Sequence, residues 1–417
     1  MNLANTSLLN GIGVAVKVCT GLVLNKILAV YVGPAGYAII GQFQNAVSIV
    51  LSLAGGIAAT GVTQATAQHF DDEARQYTVW QTAIRLSLFA SLISGISLLF
   101  IGETLADWLL HRTDMHTVFV WLAFTLPVMT VNTLLMAIIN GKKEVRIYVA
   151  ANIAGSITGM FVTGFLAFNF GLYGALVAFA INPSIGLLTT GALVARRNWF
   201  KSRFLWGAID RSALLELSGF GLMALTSALT SPVTQMLILN HLVTNVGIFD
   251  AGYWQASWRI SGMYSMLVTT TMTLYCIPSL AGLRTAHELK AEITKIYRFF
   301  LPLSIVLALI IFLLRDIIID ALFTPNFAPM RDLFLWQLMG DVIKTASWVL
   351  GFVIIAKGLI KYFIVVEVVS HILWILLTWL FVSIFELQGA PIAYTATHCV
   401  DLIVMAFIVR RHLLRMN

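Results

Sequence analysis

Residues 117–146 read TVFVWLAFTLPVMTVNTLLMAIINGKKEVR. Positions 117–139 carry no charge, and Lys142, Lys143 and Arg146 follow at once. An apolar run of that length crosses roughly 30 Å of hydrocarbon as a helix. A basic cluster on one flank only marks that flank as cytoplasmic. Outward from this stretch the same unit recurs. Twelve apolar runs are expected at 8–32, 38–66, 78–101, 117–139, 147–168, 172–195, 213–239, 250–280, 299–323, 333–356, 362–383 and 388–409.

The charge of the connections alternates. Arg75; Lys142, Lys143, Arg146; Arg196, Arg197, Lys201, Arg203, Arg211; Arg284, Lys290, Lys295, Arg298; and Lys357, Lys361 occupy every second connection. Arg410, Arg411 and Arg415 follow the last run, which brings the count to eighteen. The connections between hold only Arg112, Arg315 and Arg331. Both termini are therefore expected in the cytoplasm of a bacterial inner membrane.

Composition agrees: 59% of residues are hydrophobic, 11% are charged, and the mean hydropathy is +0.88. A soluble domain carries about 25% charged residues. The net charge of +7 is then loop charge facing anionic head groups, and no nucleic-acid partner is expected. The first run is too long for a cleaved leader and lacks a small-residue cleavage pattern. Cys19, Cys276 and Cys399 all fall inside apolar runs and show neither metal spacing nor a disulfide framework. No HExxH, phosphate-binding glycine loop or paired soluble carboxylates appear, so no catalytic residue, metal or cofactor is expected.

The chain also repeats at an offset of 213–216 residues. Ala35-Gly36-Tyr37 recurs as Ala251-Gly252-Tyr253, with Gln42 and Gln255 following. LLFIGETLADWLL (98–110) aligns with IFLLRDIIIDALF (311–323), Gly174-Ala175 with Gly389-Ala390, and Arg196-Arg197 with Arg410-Arg411. The expected architecture is all-α and polytopic: a six-helix bundle over 1–197, a basic cytoplasmic connection over 198–212, and a second six-helix bundle over 213–417. An even number of spans per half makes the repeat parallel, with pseudo-two-fold symmetry about the membrane normal.

Charge inside a span costs several kcal/mol and points to function. The cations are Lys17, Lys26, Arg85, Arg259 and Lys344; the anions are Asp341, Glu367 and Asp401; His371 and His398 join them. Asp341 and Lys344 are three apart and share a helix face. That spacing suits either a self-neutralised pair or a substrate cation beside a proton-accepting carboxylate. Glu367 with His371, and His398 with Asp401, have the spacing of proton relays or of structural hydrogen bonds. Trp254 and Gln255 beside Arg259 suit a sugar bearing negative charge. Pro232 and Pro278 interrupt two helices and permit bending. Five cations against three anions favour an anionic cargo.

The whole chain resembles the Wzx-type flippases of the polysaccharide-transport branch of the multidrug/oligosaccharidyl-lipid/polysaccharide (MOP) exporter superfamily, whose fold is MATE-like. The resemblance rests most on Met330-Arg331-Asp332-Leu333-Phe334-Leu335-Trp336-Gln337-Leu338-Met339-Gly340-Asp341, through Lys344 to Ile355-Ala356-Lys357, and on Lys17, Lys26 and Val32-Gly33-Pro34-Ala35-Gly36. It implies a cargo of undecaprenyl-diphosphate-linked oligosaccharide, moved to the periplasmic leaflet for O-antigen or enterobacterial common antigen assembly. It also implies membrane lipids, and polymerase and chain-length components of the pathway, as partners. The rivals are a gradient-driven multidrug exporter of the same superfamily, which would favour the opposite charge balance, and a non-transporting scaffold of a glycan-assembly complex.

Overall fold

The computed structural model describes residues 3–197, 199–201 and 207–416; Arg203, counted among the basic residues above, lies outside them. The described residues form helices and no strand. These are α1 (Leu3–Tyr31), α2 (Gly33–Leu51), α3 (Ile57–Gln68), α4 (Glu73–Leu105), α5 (Thr117–Gly141), α6 (Val145–Val194), α7 (Arg211–Asn245), α8 (Ile248–Ala281), α9 (Ala286–Leu313), α10 (Arg315–Leu322), α11 (Phe334–Ala356), α12 (Ile360–Phe385) and α13 (Gly389–Met416). A wider turn at Ser52–Gly56 joins α2 to α3 in one continuous rod. Nine stretches among the described residues are long and apolar enough to cross a membrane. Two of them contain a break, at Gly171 and at Glu386, and so hold two spans each. α7, which is not among the nine, is 35 residues and long enough to be a further span. The chain is an all-α polytopic membrane protein.

The repeat is written in the backbone as well as in the side chains. Gly33 and Gly247 have φ of 69° and 108° and stand 214 residues apart. Lys143 and Gly358 have φ of 57° and 66°, 215 apart. Gly171 (φ 57°, ψ −134°) and Glu386 (φ 52°, ψ −133°) share one geometry, again 215 apart. Six of the seven positive-φ residues described thus fall into pairs. Close hairpins fix the last pair. A Cβ on Gly174 would lie 2.0 Å from the Leu166 carbonyl oxygen, and one on Gly389 would lie 2.3 Å from the Phe381 carbonyl. Only glycine admits such an approach.

One expected run starts in a different place. Position 299 marked where hydropathy becomes continuous, but α9 begins thirteen residues earlier, at Ala286. Thr285 and Glu288 form a capping box there: the Thr285 Oγ1 accepts from the Glu288 N–H, and the Glu288 carboxylate accepts from the Thr285 N–H. Leu289, Ile293, Ile296 and Phe300 then bury one stripe while the opposite face stays polar. The run also ends early, because α9 stops at Leu313 and the short α10 follows.

Two compact units result. The first comprises the residues up to Val32 together with Ile39–Val233; the second comprises Gly33–Ala38 and Thr234 onward. Residues 213–233, part of the second repeat by sequence, therefore pack with the first unit. Pro232 sits inside α7 at the point where the helix passes from one unit to the other. In the first unit Ala213 and Leu217 bury against Val62, Ala65, Val79 and Trp80. Arg75 Nη2 donates to Glu216 at 2.8 Å, and its Nη1 donates to Ser212 at 2.8 Å and Asp210 at 3.3 Å; His69 Nε2 lies 2.9 Å from Glu216.

Two outcomes test this account. Glu386 is exposed and holds a backbone geometry that non-glycine residues rarely adopt. Replacing it with Gly should stabilise the protein by about 1–3 kcal/mol, read as a rise in melting temperature; Gly171→Glu should lower it. Hydrogen bonds from the Ser212 hydroxyl and the Ala213 N–H, with Arg75 beside them, hold the Asp210 carboxyl below its ordinary range. A depressed carboxyl stabilises the folded form above that range and loses its contribution as pH falls through the lowered value. Asp210→Asn should therefore melt below wild type at pH about 7, and the gap should close as pH falls below about 4.

Candidate functional site

The second unit gathers most of the intramembrane charge around Gly340-Asp341 on α11. A Cβ on Gly340 would lie 2.4 Å from Tyr394 Cδ1, so the missing side chain makes room for the Tyr394 ring of α13. That ring places its hydroxyl 2.8 Å from Asp341 Oδ1. Ser261 of α8 puts its Oγ 2.6 Å from Asp341 Oδ2, and Gln337 Nε2 donates to the same Oγ at 3.2 Å. Asp341 is 2% exposed. As a carboxylate it accepts from both hydroxyls. Once protonated it gains an O–H donor, which can turn toward a neighbouring hydroxyl while its other oxygen still accepts.

Lys344 lies one turn on and is held differently. Its Nζ stands 4.7 Å from the Trp348 ring centroid, 5.5 Å from Tyr394 and 5.6 Å from Trp258. Among the described residues no carboxylate oxygen comes within ion-pair distance of it. The two charges of α11 therefore do not neutralise each other by contact. One rests on hydroxyls and the other on aromatic faces.

The remaining groups adjoin this centre. His398 stacks edge-on against Tyr394 at 4.5 Å, and its Nδ1 lies 3.1 Å from Asp401 Oδ2. Ser370 of α12 donates to the other Asp401 oxygen. His371 turns its Nδ1 to the Glu367 backbone carbonyl at 2.8 Å, not to the Glu367 carboxylate. Trp254 (1% exposed) and Gln255 (5% exposed) are interior residues. Trp258 stacks on Trp254 at 5.6 Å and lies 5.3 Å from Trp374, so these rings serve each other in this conformation. Among the described residues, five buried polar atoms here have no hydrogen-bond partner: Trp254 Nε1, Gln255 Oε1, Ser257 Oγ, Gln337 Oε1 and Trp374 Nε1.

Arg259 stands over the Tyr37 ring at 5.4 Å. Tyr37 belongs to the opening turns of α2 that pack in this unit. The repeated Ala-Gly-Tyr motifs meet at this point: a Cβ on Gly252 would lie 1.9 Å from the Pro34 carbonyl oxygen, and Tyr37 and Tyr253 both adjoin Phe327, at 5.2 and 6.3 Å. Lys17, Lys26 and Arg85 belong to the first unit. Lys17 and Arg85 are exposed and Lys26 is half-buried.

The sequence does not single out Ser261, Tyr394, Ser370 or Trp374. Hydroxyl and aromatic residues are common in spans and do not register as charge. The available signal was on α11 itself, where Gln337, Asp341, Lys344 and Thr345 recur at helical spacing on one face.

Comparisons with known proteins bear on this arrangement. The lipid III flippases of Escherichia coli (strain K12) and Shigella flexneri are each 29% identical over 401 residues, with 96% of both chains covered. Among solved structures, an inward-facing multidrug resistance MATE family transporter of the MOP superfamily superposes with a TM-score of 0.80 at 15% identity, covering 96% of this chain and 95% of its own. An outward-facing MATE transporter gives 0.70 at 16% identity, covering 99% and 95%. A MOP superfamily transporter from Pyrococcus furiosus, described as having a binding pocket of reverse polarity, gives 0.67 at 15% identity, covering 97% and 96%. The fold is that of the MATE transporters. The model of the polysaccharide biosynthesis protein family matches residues 20–332, three quarters of the chain, and the chain belongs to that family.

Proposed function

We propose that this protein is a lipid flippase that carries an undecaprenyl-diphosphate-linked oligosaccharide from the cytoplasmic to the periplasmic leaflet by alternating access, in O-antigen or enterobacterial common antigen assembly. It is a transporter and not an enzyme. The observation that carries the reading is Lys344, an intramembrane cation supported by rings and left without a carboxylate in contact. A diphosphate needs such a cation. Similarity to lipid III flippases along almost the whole chain supports the same cargo class. The unpartnered indole and amide atoms around the site suit a hydrated or sugar-bearing interior. An organic-cation exporter, the rival from the multidrug side of the superfamily, would expose Asp341 and not Lys344. Leaflet exchange of a labelled sugar lipid in liposomes separates the two and also tests a mere scaffold, which would exchange nothing.

The potential helps such a cargo. A diphosphate moves negative charge toward the positive side of the membrane, which gains roughly 2.3 kcal/mol per charge per 100 mV. Resetting the empty carrier then needs compensation. Asp341 accepts a proton from the periplasm as the lipid leaves, and its two hydroxyl partners re-orient to match. Asp401 with His398, and Glu367 with His371, are the alternative acceptors.

Three measurements follow from this reading. Lys344→Ala should abolish export while protein level stays normal, and Lys344→Arg should keep part of it; export at the wild-type rate in the alanine strain contradicts the assignment. Asp341→Asn should leave flipping indifferent to an imposed pH gradient in proteoliposomes. Reporter fusions at Glu288 should read cytoplasmic, and those at Asp114 and Thr244 periplasmic.

A further inference from the structure

We propose that the three rings around Lys344 form an organic-cation site occupied by the chain's own lysine, so that residue 344 sets the sign of charge the second unit accepts. Trp348, Tyr394 and Trp258 surround one ammonium at 4.7, 5.5 and 5.6 Å. Aromatic faces converging on a cation are how quaternary and methylated ammonium groups are recognised. The electrostatics of the surroundings match. Asp341, Glu367 and Asp401 are the charges that act on Lys344. Two of them have hydrogen bonds that do not involve the lysine: Asp341 is met by Ser261 and Tyr394, and Asp401 by Ser370 and His398. If the lysine head is removed, a ring-lined slot close to three carboxyl groups remains.

The ligand class is a compact alkylammonium. Truncating Lys344 to Ala removes three methylenes and an ammonium, close to the bulk of tetramethylammonium. Lys344 is partly buried. In the wild-type chain the tethered ammonium excludes such ligands and presents a positive group to an anion. The inference shares its residues with the proposed flippase function but not its readout, since cation binding is measured without any flipping.

The test uses the full-length protein in detergent. Tetramethylammonium chloride is titrated against wild type, Lys344→Ala and Lys344→Met, with potassium chloride as control. Melting temperature and tryptophan emission report binding, since Trp258 and Trp348 line the slot. Lys344→Ala should respond saturably, whereas wild type and Lys344→Met, whose slot is filled, should not. Adding Trp348→Ala to Lys344→Ala should weaken binding roughly 2- to 30-fold. A folded Lys344→Ala protein without a saturable response overturns the proposal, as does an equal response from wild type. If Lys344→Ala yields no folded protein, the wild-type chain supplies a second measurement. Stepwise fluorination of Trp348 drains charge from its face, and the melting temperature should fall with each fluorine; a flat series rejects the occupied cage. Tetramethylammonium binding by Lys344→Ala, together with no lipid exchange by wild type, would keep this inference and discard the flippase reading.

Discussion

An ionised side chain inside a membrane protein costs several kcal/mol unless its surroundings replace the water it has lost. The interior of the second unit is organised around that cost. A direct contact between Asp341 and Lys344 is the simplest remedy and is absent. Hydroxyls serve the carboxylate and rings serve the ammonium. Each charge is thereby supported without being consumed by the other. The two still act on each other through space, but neither relies on the other for a direct contact. A contact ion pair would couple the two, and loss of one would strand the other. Gly340 is the small feature that makes the arrangement possible, since it admits the Tyr394 ring that touches both groups.

The polytopic fold was legible because hydrocarbon thickness imposes a length and basic residues mark one side. Residues 117–146 carry both signals without help from the rest of the chain. The start of α9 was not legible from hydropathy, because its opening turns are amphipathic and begin at a capping box. The candidate site was half legible. Charges stand out in an apolar run, so Asp341, Lys344 and Asp401 were visible. Their partners were not, since Ser261 and Tyr394 lie 80 and 53 residues from Asp341 and only the fold brings them together. Trp254 and Gln255 look sugar-facing by type; both are interior, and the Trp254 ring stacks on Trp258.

Sequence repeat and compact unit do not share a boundary. The opening turns of α2 pack with the second unit, and the first part of α7 packs with the first. The close Pro34–Gly252 approach and the Arg75–Glu216 clasp are the local reasons. A duplicated chain that exchanges helix ends in this way cannot be cut at its repeat boundary into two self-sufficient halves.

The matched turns at Gly171 and Glu386 carry a consequence for how such hairpins are specified. The two apices keep the same dihedral angles although only one retains the residue that makes them easy. The shape is therefore dictated by the flanking helices, which glycines at 174 and 389 let approach to backbone contact. In this fold the crossing beneath the apex sets the shape, and the apex residue sets only how much strain that shape holds. A designer who wished to re-engineer these loops would meet strain for any non-glycine tip, but an outright clash three residues below it, where a Cβ would run into backbone.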